Sequence, residues 1–179
     1  LNSVDGLTYR ENGNVLSVPE YAYTETPPSP YCKEFFDSLG GRICYIETSR
    51  GCPYRCAFCL SGRCSGLRFF DIDKVKENIL LLANSGTETV KFVDRTFNAN
   101  SCRANLILNF IKDNYGAKIP QGVCFHFEIA GDILSGQTLE ILSQMPVGAV
   151  QLEIGMQSFN EETLKLINRK TDTKKLIQN

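Results

Sequence analysis

From residue 42 onward, a short apolar run is followed four times by a segment with helical periodicity. The strands are expected at residues 43–48, 90–96, 123–129 and 149–156. Asp71 is placed to cap a helix that carries Val75, Ile79 and Leu82 and closes at Gly86. Ser101 is placed to cap a second, with Leu106, Phe110 and Ile111, that closes at Gly116. A shorter helix is expected at residues 137–144 and a fourth at 160–170. Such alternation implies parallel strands joined by right-handed crossovers. The expected fold is therefore α/β, the first four βα units of a partial (β/α) TIM-type barrel. Four units make half of an eight-fold barrel or two-thirds of a six-fold one.

Residues 1–41 have a different texture and read as a lead-in, leaving residues 42–179 as the N-terminal part of the barrel. Two short strand-like runs flank Glu11-Asn12-Gly13-Asn14, a hairpin signal, and Pro27-Pro28-Ser29-Pro30 follows as linker. The chain opens Leu-Asn-Ser, and its last residues read as a helix cut short, so a piece of a longer protein is expected. At 179 residues it can bury a real core. A net charge of −1 gives no broad attraction to nucleic acid or anionic membrane. No apolar run approaches the roughly 18 residues of a membrane span, and no signal peptide is visible. Eight cysteines in a chain with strand–helix alternation fit a reducing cytoplasm better than a secreted disulfide scaffold.

The expected strands carry polar residues on one face. On the fourth, Gln151, Glu153, Gly155 and Gln157 oppose Val150, Leu152, Ile154 and Met156. On the third, His126 and Glu128 oppose Phe125, Phe127 and Ile129, and on the second Lys91 and Arg95 oppose Phe92. Small closed barrels fill their lumen with branched apolar residues. A polar lumen suits a wider barrel that holds a ligand; ion pairs across the lumen, such as Glu47 with Lys91, are the alternative.

The segment Arg50-Gly51-Cys52-Pro53-Tyr54-Arg55-Cys56-Ala57-Phe58-Cys59 puts three thiols at C-x3-C-x2-C spacing directly after the first strand. A four-iron, four-sulfur cluster is normally held by four thiolates. Three leave one iron open to a substrate or cofactor, as an open position marks catalytic zinc. The competing reading is a compact zinc cage that recruits Cys64. Cys32, Cys44, Cys102 and Cys124 read as small buried apolar residues. Active groups of parallel barrels gather at the C-terminal ends of strands. The cysteine loop, residues 94–98, Glu128 and Gln157-Ser158 all fall there.

This loop, with Phe58 in its aromatic slot, resembles that of the radical S-adenosylmethionine (SAM) superfamily. The resemblance implies that Cys52, Cys56 and Cys59 ligate three irons of a 4Fe-4S cluster, whose fourth iron chelates SAM. One electron then cleaves SAM to methionine and a 5′-deoxyadenosyl radical, which abstracts hydrogen from a substrate. Gly155-Met156-Gln157-Ser158-Phe159, followed by Asn168-Arg169, resembles a signature of the branch containing oxygen-independent coproporphyrinogen oxidase. It implies Gln157 on the ribose hydroxyls, Arg169 on the methionine carboxylate and Glu128 as a further cofactor contact. The glycine-rich turn common at the end of the second strand is replaced by Val93-Asp94-Arg95-Thr96, which leaves Asp94 or Thr96 to meet the methionine amino group. Phe58 would bring backbone and ring near the adenine; alternatively, it only packs the loop.

The lead-in, the loop and the Phe92–Asn98 segment most resemble cobalamin-dependent members, the group of the anaerobic magnesium-protoporphyrin monomethyl ester cyclase. That implies a methyltransferase or oxidative cyclase, cobalamin held by a domain outside this chain, and an electron donor such as flavodoxin or ferredoxin. The substrate is expected to be a small molecule that the sequence does not identify. Two other readings compete, a radical methylthiotransferase acting on RNA and a zinc-stabilised binding module held by Cys52, Cys56, Cys59 and Cys64. Nothing in the sequence is basic enough to favour RNA.

Overall fold

The computed structural model describes residues 1–19, 28–63 and 66–179. Cys64 of the zinc alternative and Pro27 of the expected linker lie outside them. The chain opens with a hairpin, β1 (Thr8–Glu11) and β2 (Asn14–Ser17), paired antiparallel. Its turn places Asn12 and Gly13 at positive φ, as the Asn-Gly signal requires. A helix that the sequence reading did not place, α1 (Lys33–Leu39), follows, and Leu39 is buried in the core.

A four-stranded parallel sheet forms the body, in the order β3 (Cys44–Ile46), β6 (Thr89–Phe92), β7 (Cys124–Ile129), β8 (Val150–Ile154). Helices α2 (Ile72–Ala83), α3 (Ser101–Asn114) and α4 (Gly136–Ser143) connect successive strands. Chain order equals sheet order, the arrangement of a barrel opened along one side. Between the first strand and α2 lies a small antiparallel ribbon, β4 (Ser49–Gly51) with β5 (Leu67–Phe69). It forms the base of the cysteine loop. After β8 come two short helices, α5 (Glu161–Leu166) and α6 (Thr173–Gln178).

Alternation decides what each face of the sheet does. Phe125, Phe127 and Ile129 on β7 and Val90 and Phe92 on β6 are buried against Val75, Ile79 and Leu82 of α2 and Ala104, Ile107, Leu108 and Ile111 of α3. Phe92, Phe97 and Phe127 stack with centroids 4.3 to 5.4 Å apart, closing the core at the end of β6. The opposite face carries Lys91, His126, Glu128 and Glu153. It is polar and open, as expected.

Several expectations are revised. The strand expected at residues 90–96 leaves the sheet after Phe92, because Asp94 turns inward to accept hydrogen bonds from Thr48 and Ser49. The first and fourth strands are also shorter than expected, and the helix expected at 160–170 stops at Leu166. Asp71 caps α2 through the backbone N–H groups of Asp73 and Lys74. On α3 the cap is Asn100, which accepts from Arg103 N at 3.0 Å; Ser101 is the first helical residue. Leu106 faces water at 56% exposure, since the buried stripe runs one step aside through Ile107 and Leu108. Cys44 is buried, but Cys32 and Cys102 are exposed and Cys124 is half-buried. Glu47 pairs with Arg50 rather than Lys91, because the tight turn after β3 brings Arg50 three residues on against it.

Candidate functional site

The rim at the C-terminal ends of the strands is built from side-chain bonds to backbone. Asp94, 1% exposed, takes Thr48 N at 2.9 Å, Thr48 Oγ1 at 2.7 Å and Ser49 Oγ at 2.5 Å. Burial pushes its carboxyl pKa up from the ordinary carboxylate value, and the donors of Ser49 and Thr48 oppose that shift. Asp94 thus joins the end of β6 to the chain entering the cysteine loop. Asn98 performs the matching task toward β7: its amide donates to Ala130 O at 2.8 Å and accepts from Ala130 N at 2.9 Å.

The cysteine loop leaves this rim at Gly51, whose φ of +101° is the region that glycine alone enters freely. A side chain there would run into the backbone carbonyl of Gly66. At its far end the loop is tied to the turn after α5. Ala57 N donates to Ile167 O and Asn168 Nδ2 to Arg55 O, both at 2.8 Å. Asn168 makes that bond from a left-handed conformation with φ of +51°. Cys56 is buried, Cys52 and Cys59 are half-buried, and none of the described cysteines is in a disulfide. Cys52 Sγ lies 3.6 Å from Thr96 Oγ1.

Arg169 occupies the junction between loop and sheet. Its Nη1 approaches Cys56 Sγ at 3.8 Å, Nε donates to Thr171 Oγ1 at 3.1 Å, and Nη2 reaches Gly155 O at 3.4 Å. The guanidinium lies over the Tyr54 ring, 4.4 Å from its centroid. Burial raises the Tyr54 phenol pKa, with Asp132 adding to the shift and Arg169 opposing it.

Beside this junction is a cleft of about 180 Å³ lined by Arg95, Thr96, Glu128, Glu153, Gln157 and Arg169, among others. Of the residues singled out from sequence, it gathers Thr96, Glu128, Gln157 and Arg169. Asp94 does not line it, and the Phe58 side chain is 61% exposed. Gln157 takes φ of +56°, an uncommon conformation for a residue with a side chain. Gly155 makes room for it: a Cβ there would come within 2.7 Å of Gln157 Nε2. Farther along the open face, Lys91 Nζ lies 3.6 Å from Glu128 Oε1 and 3.4 Å from Glu153 Oε2. His126 Nε2 is 3.2 Å from Glu153 Oε2 but makes no hydrogen bond to it.

A family model described as the radical SAM superfamily matches residues 46–179. The chain belongs to this superfamily. Among curated relatives of this radical SAM chain, an uncharacterized methyltransferase of Pyrococcus horikoshii, PH0819, is 31% identical over 119 residues, covering 58% of this chain and 25% of that protein. The 2-(S-pantetheinyl)-carbapenam-3-carboxylate methyltransferase of Streptantibioticus cattleyicolor is 43% identical over 53 residues, covering 28% of this chain and 8% of that one. Two solved structures share the fold. The radical SAM methyltransferase TsrM of Kitasatospora setae, with cobalamin and a [4Fe-4S] cluster bound, superposes with a TM-score of 0.72 at 14% identity, over 97% of this chain and 38% of its own. The cobalamin-dependent radical enzyme OxsB, with aqua-cobalamin and SAM bound, gives 0.76 at 20% identity, over 99% of this chain and 27% of its own. The chain thus spans about a quarter or less of these curated relatives and under two-fifths of these structures.

Tyr54 was given no role by the sequence, having no signal beyond lying between two cysteines. Asn98 and Asn168 lie in segments that the sequence singled out, but their bonds did not show there, since each acts through a partner 32 or 113 positions away. No described helix is long and apolar enough to cross a membrane.

Proposed function

We propose that this chain forms the cofactor-binding part of a cobalamin-linked radical SAM methyltransferase. The observation that carries the reading is the cleft that gathers Thr96, Glu128, Gln157 and Arg169, with Arg169 also reaching Cys56. Cys52, Cys56 and Cys59 would hold a 4Fe-4S cluster. They form a soft donor set, and thiolate ligation is what such clusters require. Among the described residues, no three His, Cys, Asp or Glu side chains are drawn together as ligands of one metal ion. Cys64, the fourth ligand of the zinc alternative, lies outside the described residues. When bound, the cluster supplies the electron that splits SAM into methionine and a 5′-deoxyadenosyl radical.

The chain's own residues bind and orient. Arg169 offers a planar fork to the methionine carboxylate. Glu128 presents a carboxylate to the amino group. Thr96, rather than the buried Asp94, supplies the contact from the end of β6. Gln157, which lines the cleft, would meet the ribose hydroxyls, and Phe58 would offer ring and backbone to the adenine. Of the two overall reactions expected, methyl transfer is supported by the relatives that are methyltransferases. Cobalamin, bound by both TsrM and OxsB, would come from a domain outside this chain. The electron would come from a flavodoxin- or ferredoxin-like donor.

The test is anaerobic reconstitution of the full-length protein. About four irons and four sulfides per chain are expected. Ala at Cys52, Cys56 or Cys59 should abolish them, and Cys64→Ala should leave them in place. With a strong reductant and SAM, 5′-deoxyadenosine should form. Iron retained without any 5′-deoxyadenosine would refute the radical reading, and loss of iron on Cys64→Ala would refute a three-cysteine site.

A further inference from the structure

We infer that Tyr54 is a positioning residue, whose ring fixes the Arg169 guanidinium between the cysteine loop and the cleft and so couples loop closure to SAM affinity. This rests on the assignment of Arg169 to the methionine carboxylate. An arginine side chain is long and loses much rotamer freedom when it must sit in one place. Four groups of this chain restrain Arg169. Thr171 Oγ1 and Gly155 O take one N–H each, Cys56 Sγ a third, and the guanidinium carbon lies 4.4 Å from the Tyr54 ring centroid. A guanidinium has five N–H groups, so two remain to grip a carboxylate.

Thr171 and Gly155 lie outside the cysteine loop, whereas the Tyr54 ring, 4.4 Å from the guanidinium carbon, stands between Cys52 and Cys56 within it. Its place therefore depends on the loop being closed. The loop in turn is bound to the segment that carries Arg169, through Ala57 N to Ile167 O and Asn168 Nδ2 to Arg55 O. Seating of the loop on that segment and alignment of Arg169 are thereby coupled.

The experiment uses full-length, anaerobically reconstituted protein, with equilibrium dialysis of labelled SAM alongside iron and sulfide counts. Tyr54→Met keeps apolar bulk without an aromatic face. It should weaken SAM binding roughly 3- to 30-fold, the range of a part-buried cation–π contact, with iron content unchanged. Tyr54→Phe keeps the face and should bind within about twofold of wild type. Tyr54→Leu, a second variant should the methionine one fold poorly, should repeat the loss. Because Tyr54 acts through Arg169, Tyr54→Met in an Arg169→Lys background should cost little beyond Arg169→Lys alone. Normal binding by Tyr54→Met, loss of iron with it, or full additivity with Arg169→Lys would each overturn the inference and leave the radical reading standing. A wild-type protein that holds iron but does not bind SAM overturns both.

Discussion

Asp94 meets two opposing demands, three donors that favour its anion and a dry surrounding that disfavours it. Burial wins, and the folded-state pKa lies above the ordinary value of 3.8. The native chain therefore binds more protons than the unfolded one between 3.8 and the raised value. The stability this group contributes falls as pH rises through that window and is level above it. Asp94→Asn removes the slope and sets an amide N–H against Thr48 or Ser49, at a cost of about 1–3 kcal/mol near neutral pH. Denaturant midpoints across pH 4.5 to 8 should show the Asn variant less stable, with a deficit that widens on acidification. A deficit that narrows would contradict the assignment. Gly51 belongs to the same scale. Gly51→Ala pays for a positive φ and meets the Gly66 carbonyl. A loss of about 2 kcal/mol, read from the urea midpoint, is expected.

At the scale of the element, caps and pairings test the assigned boundaries. If Asn100 caps α3, Asn100→Ala should cost about 1 kcal/mol, while Ser101→Ala stays within about 0.5 kcal/mol. The reverse order of thermal midpoints would restore the boundary that sequence alone suggests. The one-residue error is instructive. Asn100 and Ser101 are both good caps, and only the φ of −123° at Asn100 separates them. The strand–helix order was legible because burial on one face leaves a period in the sequence. Strand lengths were not, because Asp94 ends its strand through bonds to Thr48 and Ser49, 46 and 45 positions earlier. Of the alternative given for the polar face, ion pairs across strands, Lys91 does pair with Glu128 and Glu153, but the turn after β3 gives Glu47 a nearer cation in Arg50.

For the whole molecule, the open sheet is the governing fact. Among the described residues, β3 and β8 have a partner strand on one side only, and Tyr45, Ile154, Met156 and Phe159 are 43 to 52% exposed along or beyond these edges. The 179-residue chain expressed alone should self-associate and bind a hydrophobic dye, and the full-length protein should do neither. Light scattering with dye fluorescence decides it; a monodisperse, dye-free chain would show that these edges need no cover. The cysteine spacing shows in the sequence because it is local. The contacts of Tyr54 and Asn168 do not, because they depend on residues far along the chain.

The bond between Asn168 and the carbonyl of Arg55 spans 113 positions, and so sets an order of manufacture. When the three thiols leave the ribosome, the segment that seats their loop has not been translated. Metal delivered then would meet an unanchored hairpin without its arginine. The loop takes its seated form only after that segment has emerged, so under the proposed cluster role loading would follow synthesis past that point.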